Sequence, residues 1–346
     1  MYPFNLTKLG AIAVVSLAAS TSGFADLYFG GTNGGNPNSV TAISGPWDYD
    51  TTANWATSEL GGPGSATSTW SDDNNADFEA PGGGTVTVAP GNYSPNAINF
   101  LPTSGTFVII NNGDLDLQTT GIANNSLLSA ETISNQGSGI VEFESGASAS
   151  GGSAAVTYSN SAQMTFHNDS LLGNANITNN STGTVSFDPD NDPMTSTATL
   201  DNSGVVDLYN DHVSVNNLTV EKSSELQFTL GANTAASGEL TVNTALTDDA
   251  SQADPVLIDI TEAAGFGDSS VYTLIDLAAG TFNILDYSLN PTITNYRLEA
   301  LGSDLDLVAV PEVSSFMIPL ALGAAGFFWM RRRAAALSAV SVEALA

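Results

Sequence analysis

The chain contains no cysteine, only two histidines and only six basic residues. Without cysteine, neither disulfide bonds nor thiolate chemistry can contribute, so stability has to come from burial and hydrogen bonding. Neither histidine has a second histidine or a cysteine at ligand spacing, which argues against a zinc site. We therefore expect His167 and His212 to be solvent-facing strand residues.

Positive charge is almost missing from the middle of the chain. Of the six basic residues, only Lys222 and Arg297 lie in segment 26–309, which holds 34 of the 36 acidic residues. The difference between two and 34 gives this segment a formal net charge of −32. Such a surface repels nucleic acid and anionic lipid. Nucleic-acid partners are thus excluded, whereas calcium or a cationic surface is compatible with the charge.

The same segment lacks a convincing helical period and consists of short alternating strands separated by Gly, Asn and Ser. A phrase that begins Ile133-Ser134-Asn135 and ends at Phe143 returns several times, in looser form, up to the neighbourhood of Phe228. Its last apolar position recurs at a nearly constant step, at Phe143, Phe166, Phe187, Leu208 and Phe228. A period of about 20–23 residues is typical of repeat architectures.

About 20 residues are enough for one coil of a parallel β-helix, whose strands stack at about 4.8 Å. The sequence therefore predicts an all-β fold, a right-handed parallel β-helix or β-solenoid, with a signal helix before it and a transmembrane helix after it. We expect the repeated Phe to form an interior ladder, and Asn135, Asn179 and Asn202 to stack in the turns. A β-sandwich is the alternative, although it does not explain the repeated phrase.

Three of the four tryptophans, Trp47, Trp55 and Trp70, lie close together near the start of this segment. With Phe78 and the strand 85–88, this arrangement resembles the opening unit of secreted proteins with autotransporter-like β-strand repeats. The resemblance implies that the tryptophans cap the end of a parallel β-helix. The alternative is an exposed platform on which a glycan stacks.

The N-terminal segment 1–25 has the pattern of a secretory signal peptide. Lys8 opens a weakly basic region, an apolar run covers positions 10–19, and small residues precede a cleavage site between Ala25 and Asp26. The signal predicts that the body of the protein lies outside the cytoplasm.

The other end combines Val310-Pro311-Glu312, an apolar run at 316–330 and the cluster Arg331, Arg332 and Arg333. An apolar run followed by arginines is a membrane stop. This layout resembles the PEP-CTERM sorting tail of Gram-negative bacteria that make extracellular polysaccharide, and the resemblance implies recognition by the membrane transpeptidase exosortase. Val313 replaces the second proline of that motif, and positions 334–346 extend beyond the arginines. An ordinary C-terminal anchor is the alternative.

Carboxylates are the remaining candidates for chemistry. Asp188, Asp190 and Asp192 begin like a calcium loop, but Pro193 stands where such a loop has glycine and no glutamate closes it. Paired aspartates at 72–73 and 248–249 are candidates for glycan hydrolysis, yet the Gly-His-Gly and Arg-Ile-Lys phrases of β-helical polygalacturonases are absent. No catalytic residue is assigned, no cofactor is expected apart from weakly bound calcium, and a solvated acidic face is the preferred interpretation.

The sequence thus predicts six segments: a signal peptide at 1–25, a Trp-rich cap with the first strands at 26–100, repeats of about 20–23 residues at 101–230, a closing β region at 231–309, the sorting tail at 310–333 and an extra tail at 334–346. The predicted function is that of a non-enzymatic exported adhesin or matrix protein, which contacts polysaccharide or envelope components and passes through an inner-membrane intermediate. The alternative is a glycan-binding or glycan-degrading β-helix protein.

Overall fold

The computed structural model describes residues 26–310, apart from 32–36, 38–40, 50, 58–67, 103, 119, 126–130, 145, 153, 168–169, 189–193, 210, 233–236, 264–265 and 267–270. The predicted signal helix and transmembrane helix lie outside the described residues. The described part is all-β, and its single short helix is a 3-10 turn at Ile284–Asp286.

The strands, numbered in chain order, form three sheets. The first sheet has six strands: β1 (Asp26–Phe29), β3 (Trp55–Ala56), β4 (Asn75–Phe78), β7 (Ala97–Phe100), β10 (Gly121–Asn124) and β13 (Ser148–Gly152). The second has thirteen: β2 (Ile43–Trp47), β5 (Gly84–Val88), β8 (Phe107–Asn111), β11 (Glu131–Asn135), β14 (Val156–Asn160), β16 (Asn176–Asn179), β18 (Met194–Thr195), β19 (Thr199–Asn202), β21 (His212–Val220), β23 (Glu239–Asp248), β25 (Val271–Leu277), β27 (Tyr296–Leu301) and β28 (Asp304–Ala309). The third has nine: β6 (Asn92–Tyr93), β9 (Asp114–Leu117), β12 (Ile140–Phe143), β15 (Gln163–Phe166), β17 (Thr184–Phe187), β20 (Val205–Asp207), β22 (Glu225–Leu230), β24 (Val256–Glu262) and β26 (Tyr287–Leu289).

Almost all neighbouring strands are parallel, and consecutive strands of the chain lie in different sheets. From β4 to β15 the chain enters the first, second and third sheets in turn, so that each strand from β4 to β12 pairs with the strand three places later. After β15 it alternates mainly between the second and third sheets, because the first sheet ends at β13. The alternative β-sandwich is wrong, since the sheets of a sandwich are antiparallel and are joined by hairpins and Greek keys.

The repeated phenylalanines are aligned in the third sheet, as the sequence predicted. Phe143 is in register with Phe166, and Phe166 with Phe187. Their rings are stacked, with centroids 4.8 and 5.2 Å apart and interplanar angles of 6° and 14°. All three side chains are buried. The nearly constant period therefore positions identical side chains on one another inside the protein.

The predicted asparagine ladder is present and is longer than expected. Its members are fully buried at the ends of five successive strands of the second sheet: Asn111, Asn135, Asn160, Asn179 and Asn202. Each of the first four donates from Nδ2 to Oδ1 of the next, at 2.9–3.0 Å. Each also donates to a backbone carbonyl of the third sheet, for example Asn160 to Thr184 at 2.9 Å. The amides thereby satisfy the buried backbone where the chain leaves the second sheet.

The glycines of the repeated phrase leave room for this ladder. A Cβ added at Gly139 would lie 2.5 Å from Asn135 Oδ1, and one added at Gly183 would lie 2.5 Å from the carbonyl oxygen of Asn160. Real Cβ atoms do not approach so closely, so the turns after Asn135 and Asn179 require glycine at these two positions. The phrase Asn-x-x-x-Gly is thus explained by close packing.

The C-terminal region ends the parallel arrangement. Strand β28 pairs antiparallel with β25 and with β27, so the last three strands of the second sheet form an antiparallel group. Aromatic rings fill this end, with Phe266 stacked on Tyr272 at 5.1 Å and tilted against Tyr296 at 5.4 Å. The strands predicted at 240–242, 256–260, 271–276 and 305–308 are all present within β23, β24, β25 and β28.

Candidate functional site

Most of the predicted sorting residues lie outside the described part of the chain. Pro311, Glu312 and the three arginines at 331–333 are among them, as is Ala25. Val310 is exposed and its N–H donates to the carbonyl of Asn295 at 2.8 Å. Asp26 is the first residue of β1, where its Oδ1 accepts from Asn75 Nδ2 at 2.8 Å. Within the described residues, no helix has the length and apolar character to cross a membrane.

The three clustered tryptophans form the core of the N-terminal end of the sheets. Trp47, Trp55 and Trp70 are at most 1% exposed, and their ring centroids lie 4.7–5.1 Å apart. Phe29 and Phe78 pack against the same cluster. A glycan platform requires exposed ring faces, so the alternative of a stacking surface formed by these tryptophans is wrong for this structure.

An acidic file runs along the outer face of the third sheet. It consists of seven positions in register on seven strands, four of which are carboxylates: Asp116, Glu142, Thr165, Ser186, Asp207, Gln227 and Asp259. Neighbouring parallel strands are only about 4.8 Å apart, so carboxylates on adjacent strands repel each other. We call these seven residues the acidic file.

The titration of the acidic file reflects partial burial and mutual repulsion. Burial raises the pKa of Glu142, and the carboxylate of Asp114 on the neighbouring strand raises it further. Burial also raises the pKa of Asp114, with an added contribution from Asp116. The pKa of Asp207 is raised by burial too, although the N–H of Tyr209 donates to it at 3.1 Å. A cation beside the file would relieve this repulsion.

His167 contacts the acidic file. Its Nδ1 donates to Asp188 Oδ2 at 2.6 Å, and its Nε2 lies 3.6 Å from Glu142 Oε1. Burial alone would lower the pKa of His167, but the bond to Asp188 and the charges of Glu144 and Glu142 outweigh burial and raise it. The His167 ring therefore bridges Glu142 of β12 and Asp188, which directly follows β17.

The other histidine has a similar but looser environment. His212 Nδ1 lies 3.6 Å from Glu239 Oε2, and its side chain is 29% exposed. The expectation of solvent-facing histidines is thus confirmed in part, because both are partly exposed but each also contacts a carboxylate. Sequence reasoning missed these contacts, since they join residues that are far apart in the chain and whose alignment depends on the register.

The remaining acidic candidates are the predicted calcium loop and the aspartate pairs. Asp190 and Asp192 lie outside the described residues, so the predicted calcium loop is represented only by Asp188, which pairs with His167. In the described ranges, no group of three or more His, Cys, Asp or Glu residues is arranged to hold a metal ion. Asp72 accepts from Tyr49 Oη and, at 2.8 Å, from the N–H of Ser94. Its role there is to join neighbouring strands.

A signal for the full asparagine ladder was present in the sequence. An asparagine precedes each terminal apolar residue of the phrase by six or eight positions, at Asn111, Asn135, Asn160, Asn179 and Asn202. The acidic file had no comparable signal, because its carboxylates alternate with Thr, Ser and Gln.

No family model matches this chain, and no curated protein or solved structure matches it significantly.

Proposed function

We propose that the three sheets are the faces of one right-handed parallel β-solenoid. The proposal is supported by the order in which the chain enters the sheets and by the in-register pairing of equivalent residues. Right-handed connection is favoured because a twisted parallel strand followed by a crossover packs back onto its sheet in that hand. The buried tryptophans then cap the N-terminal end, and the antiparallel β25–β28–β27 group closes the other.

The protein is, on this proposal, a non-enzymatic exported surface or matrix protein. The observation that carries this proposal is that the repeated residues serve the packing of the interior. Phe143, Phe166 and Phe187 stack inside, and the repeated asparagines satisfy buried backbone groups. The phrase that defines the repeat therefore serves packing, whereas the outward positions carry negative charge. A stiff anionic rod of this kind suits adhesion or matrix assembly.

Delivery follows from the two ends of the sequence. The signal peptide directs export, and the tail beginning at Val310-Pro311-Glu312 holds the chain in the inner membrane until exosortase transfers the body to the cell surface or matrix. The arginines at 331–333 remain on the cytoplasmic side. The strongly acidic body is compatible with cationic or calcium-bridged contacts to polysaccharide outside the cell.

A glycan screen tests the non-enzymatic assignment. The purified body, segment 26–309, is incubated with acidic and neutral polysaccharides with and without calcium. We expect calcium-dependent retention on acidic polysaccharide and no release of reducing ends or unsaturated products. Product release above that of a heat-denatured control would overturn the assignment.

A tail variant tests the sorting assignment separately. The double variant Pro311→Ala and Glu312→Ala should be exported but retained in the inner membrane, because the apolar run and the arginines are unchanged. The matched control is Ser314→Ala, which alters the neighbouring polar segment and should be released normally. Release of the double variant at the normal rate would contradict exosortase processing.

A further inference from the structure

A pocket lies where the regular pairing of the second sheet is interrupted. Strand β25 pairs with β23 only at Leu240, Thr241 and Val242, and the N–H of Ala278 adds one more bond to the Val242 carbonyl at 2.9 Å. Beyond that point the chain turns away through Gly280, whose φ is +122°. In the described part of the chain, the second half of β23, positions 243–248, is therefore left without the next parallel strand beside it.

The space left by this missing strand is a cavity of about 180 Å³. The second half of β23 contributes Leu246 and Asp248, and the turning segment contributes Leu277, Phe282 and Asp286. Leu277 and Phe282 are 3% and 9% exposed, so the apolar part of the wall is well formed. The Phe282 ring is also fixed edge-on against Tyr287, with centroids 5.7 Å apart. The pocket thus has a firm apolar side and a carboxylate side.

The carboxylate side carries negative charge that its lining does not balance. Asp248 and Asp286 both line the cavity, and none of the described residues that line it is basic. Burial raises the pKa of Asp248, and the charges of Asp286 and Asp249 add to that effect, although hydrogen bonds from the Ala250 N–H and the Tyr287 hydroxyl oppose it. One oxygen of Asp248 accepts from the N–H of Ala250 at 2.9 Å, which orients the carboxylate. A cation in the cavity would interact with two carboxylates in a partly desolvated place.

We propose that this pocket binds a small organic cation, a primary ammonium group carried on a compact and partly apolar body. The ammonium would lie between Asp248 and Asp286, and the body would pack on Phe282, Leu246 and Leu277. A cavity of about 180 Å³ accommodates a molecule of monosaccharide size, and a mixed apolar and charged wall is typical of organic-ligand sites. A bare divalent cation would use only the polar part of the wall, which is the two carboxylates with Thr281 and Asn283, and would leave the apolar part without a contact.

Two sources supply this chemistry, an amino sugar of a polysaccharide and an aliphatic amine such as a lysine side chain. The inference is independent of the proposed function, since the pocket involves neither the acidic file nor the sorting tail. Calorimetric titration of the full-length protein in mild detergent separates the sources. The probes are glucosamine, its neutral counterpart N-acetylglucosamine, cadaverine and calcium chloride.

We expect at least one ammonium probe to bind and N-acetylglucosamine to bind at least about tenfold more weakly, because the acetyl group removes the charge. Asp286→Asn and Asp248→Asn should each weaken ammonium binding about tenfold or more. The side chain introduced by Asp248→Asn keeps an oxygen that can accept from Ala250, so the fold should persist, as checked by an unchanged Tm. The matched control is Asp249→Asn, which removes one charge at the exposed neighbour that does not line the cavity.

The possible outcomes divide clearly. Binding of glucosamine alone identifies an amino-sugar site, binding of cadaverine alone identifies an aliphatic-amine site, and binding of both identifies a general ammonium site; each supports the proposal. Equal binding of N-acetylglucosamine, equal loss in Asp249→Asn and Asp286→Asn, absence of any ammonium binding, or binding of calcium alone would overturn it.

Discussion

Two regions of the molecule differ in the number of residues that separate aligned positions on successive strands. In the repeat region, Phe107–Leu230, the third sheet aligns Val141, Met164, Val185, Val206 and Leu226, which follow one another at a nearly constant step. In the C-terminal region, Glu239–Ala309, the same column continues at Ile258 and Leu289, with a step about half as long again. The asparagine ladder ends at Asn202, because the residue in register with it on the next strand is Val220.

The difference teaches what a short period does. A constant spacing between repeats aligns equivalent side chains on neighbouring strands. These side chains then pack on one another and leave no cavity between the repeats. The longer steps add chain that must go elsewhere, and it forms the turn at 278–283, the 3-10 helix and the antiparallel end. The cavity beside β23 lies in this irregular region. Variants of the repeat region should therefore affect stability most, and variants of the C-terminal region less.

Truncation of the phenylalanine column should have the largest effect. Phe166 is stacked on Phe143 and on Phe187, so Phe166→Ala leaves a cavity between two rings. We expect a loss of about 3–5 kcal/mol in the free energy of unfolding, measured by urea denaturation. The control Leu285→Ala removes an exposed side chain of the C-terminal region and should change it by less than about 0.5 kcal/mol. Equal losses would erase the distinction between the regions.

Removal of one asparagine from the ladder should cost somewhat less. Asn160→Ala deletes the donors to Asn179 Oδ1 and to the Thr184 carbonyl, and it leaves Asn135 Nδ2 without one acceptor. Unsatisfied buried groups of this kind cost about 2–3 kcal/mol. The exposed Asn243, whose Nδ2 donates to Ser214 Oγ, is the matched control for Asn→Ala. If the free energy of unfolding falls no more than in Asn243→Ala, the hydrogen bonds of the ladder do not stabilise the fold as proposed.

In the C-terminal region, loss of a single buried hydrogen bond should have a smaller effect. The Tyr272 hydroxyl donates to the Gly231 carbonyl at 3.2 Å, and its ring stacks on Phe266. Tyr272→Phe keeps the ring contact and should cost about 1 kcal/mol. The control Tyr209→Phe removes, at an exposed site, a hydroxyl that bonds to Asp207, and it should cost less in the same denaturation assay. A loss as large as that of Phe166→Ala would show that this end is as tightly packed as the repeat region.

The acidic file should make stability depend on pH in one direction. The pKa values of Glu142, Asp207 and His167 are all raised, so the folded state holds these protons more tightly than the unfolded state. For the carboxyl groups, the stabilisation is complete below their ordinary pKa values of about 4 and is lost as the pH rises through the raised values. For His167 it is complete below about 6.5 and is lost as the pH rises through its raised pKa.

The Tm should therefore rise modestly as the pH is lowered from 8 to 5, as measured by scanning calorimetry. His167→Gln should remove the part of the change above pH 6.5, and Glu142→Gln should reduce the part below it. A Tm that falls steadily over this range in the unaltered protein would contradict the assigned pKa directions.

The sequence was most informative where one residue type recurs at one spacing. Phe143, Phe166 and Phe187 predicted a column, and the asparagines predicted a ladder, because stacking repeats a single local environment. It was least informative where the outcome depended on register between different residues, as for the contact of His167 with Asp188. The cavity beside β23 had no sequence signal at all, because it results from a strand that ends early.

The stacking of successive repeats is tested most directly by a cross-link between them. Ser134 and Ser159 are in register on adjacent strands, and Thr178 is in register one strand further. The chain has no cysteine, so Ser134→Cys with Ser159→Cys introduces the only pair of thiols, at a Cα separation of about 4.8 Å that a disulfide can span. Oxidation should join this pair, whereas Ser134→Cys with Thr178→Cys, about twice as far apart, should stay reduced. No disulfide in the first variant, or equal yields in both, would contradict the stacked arrangement.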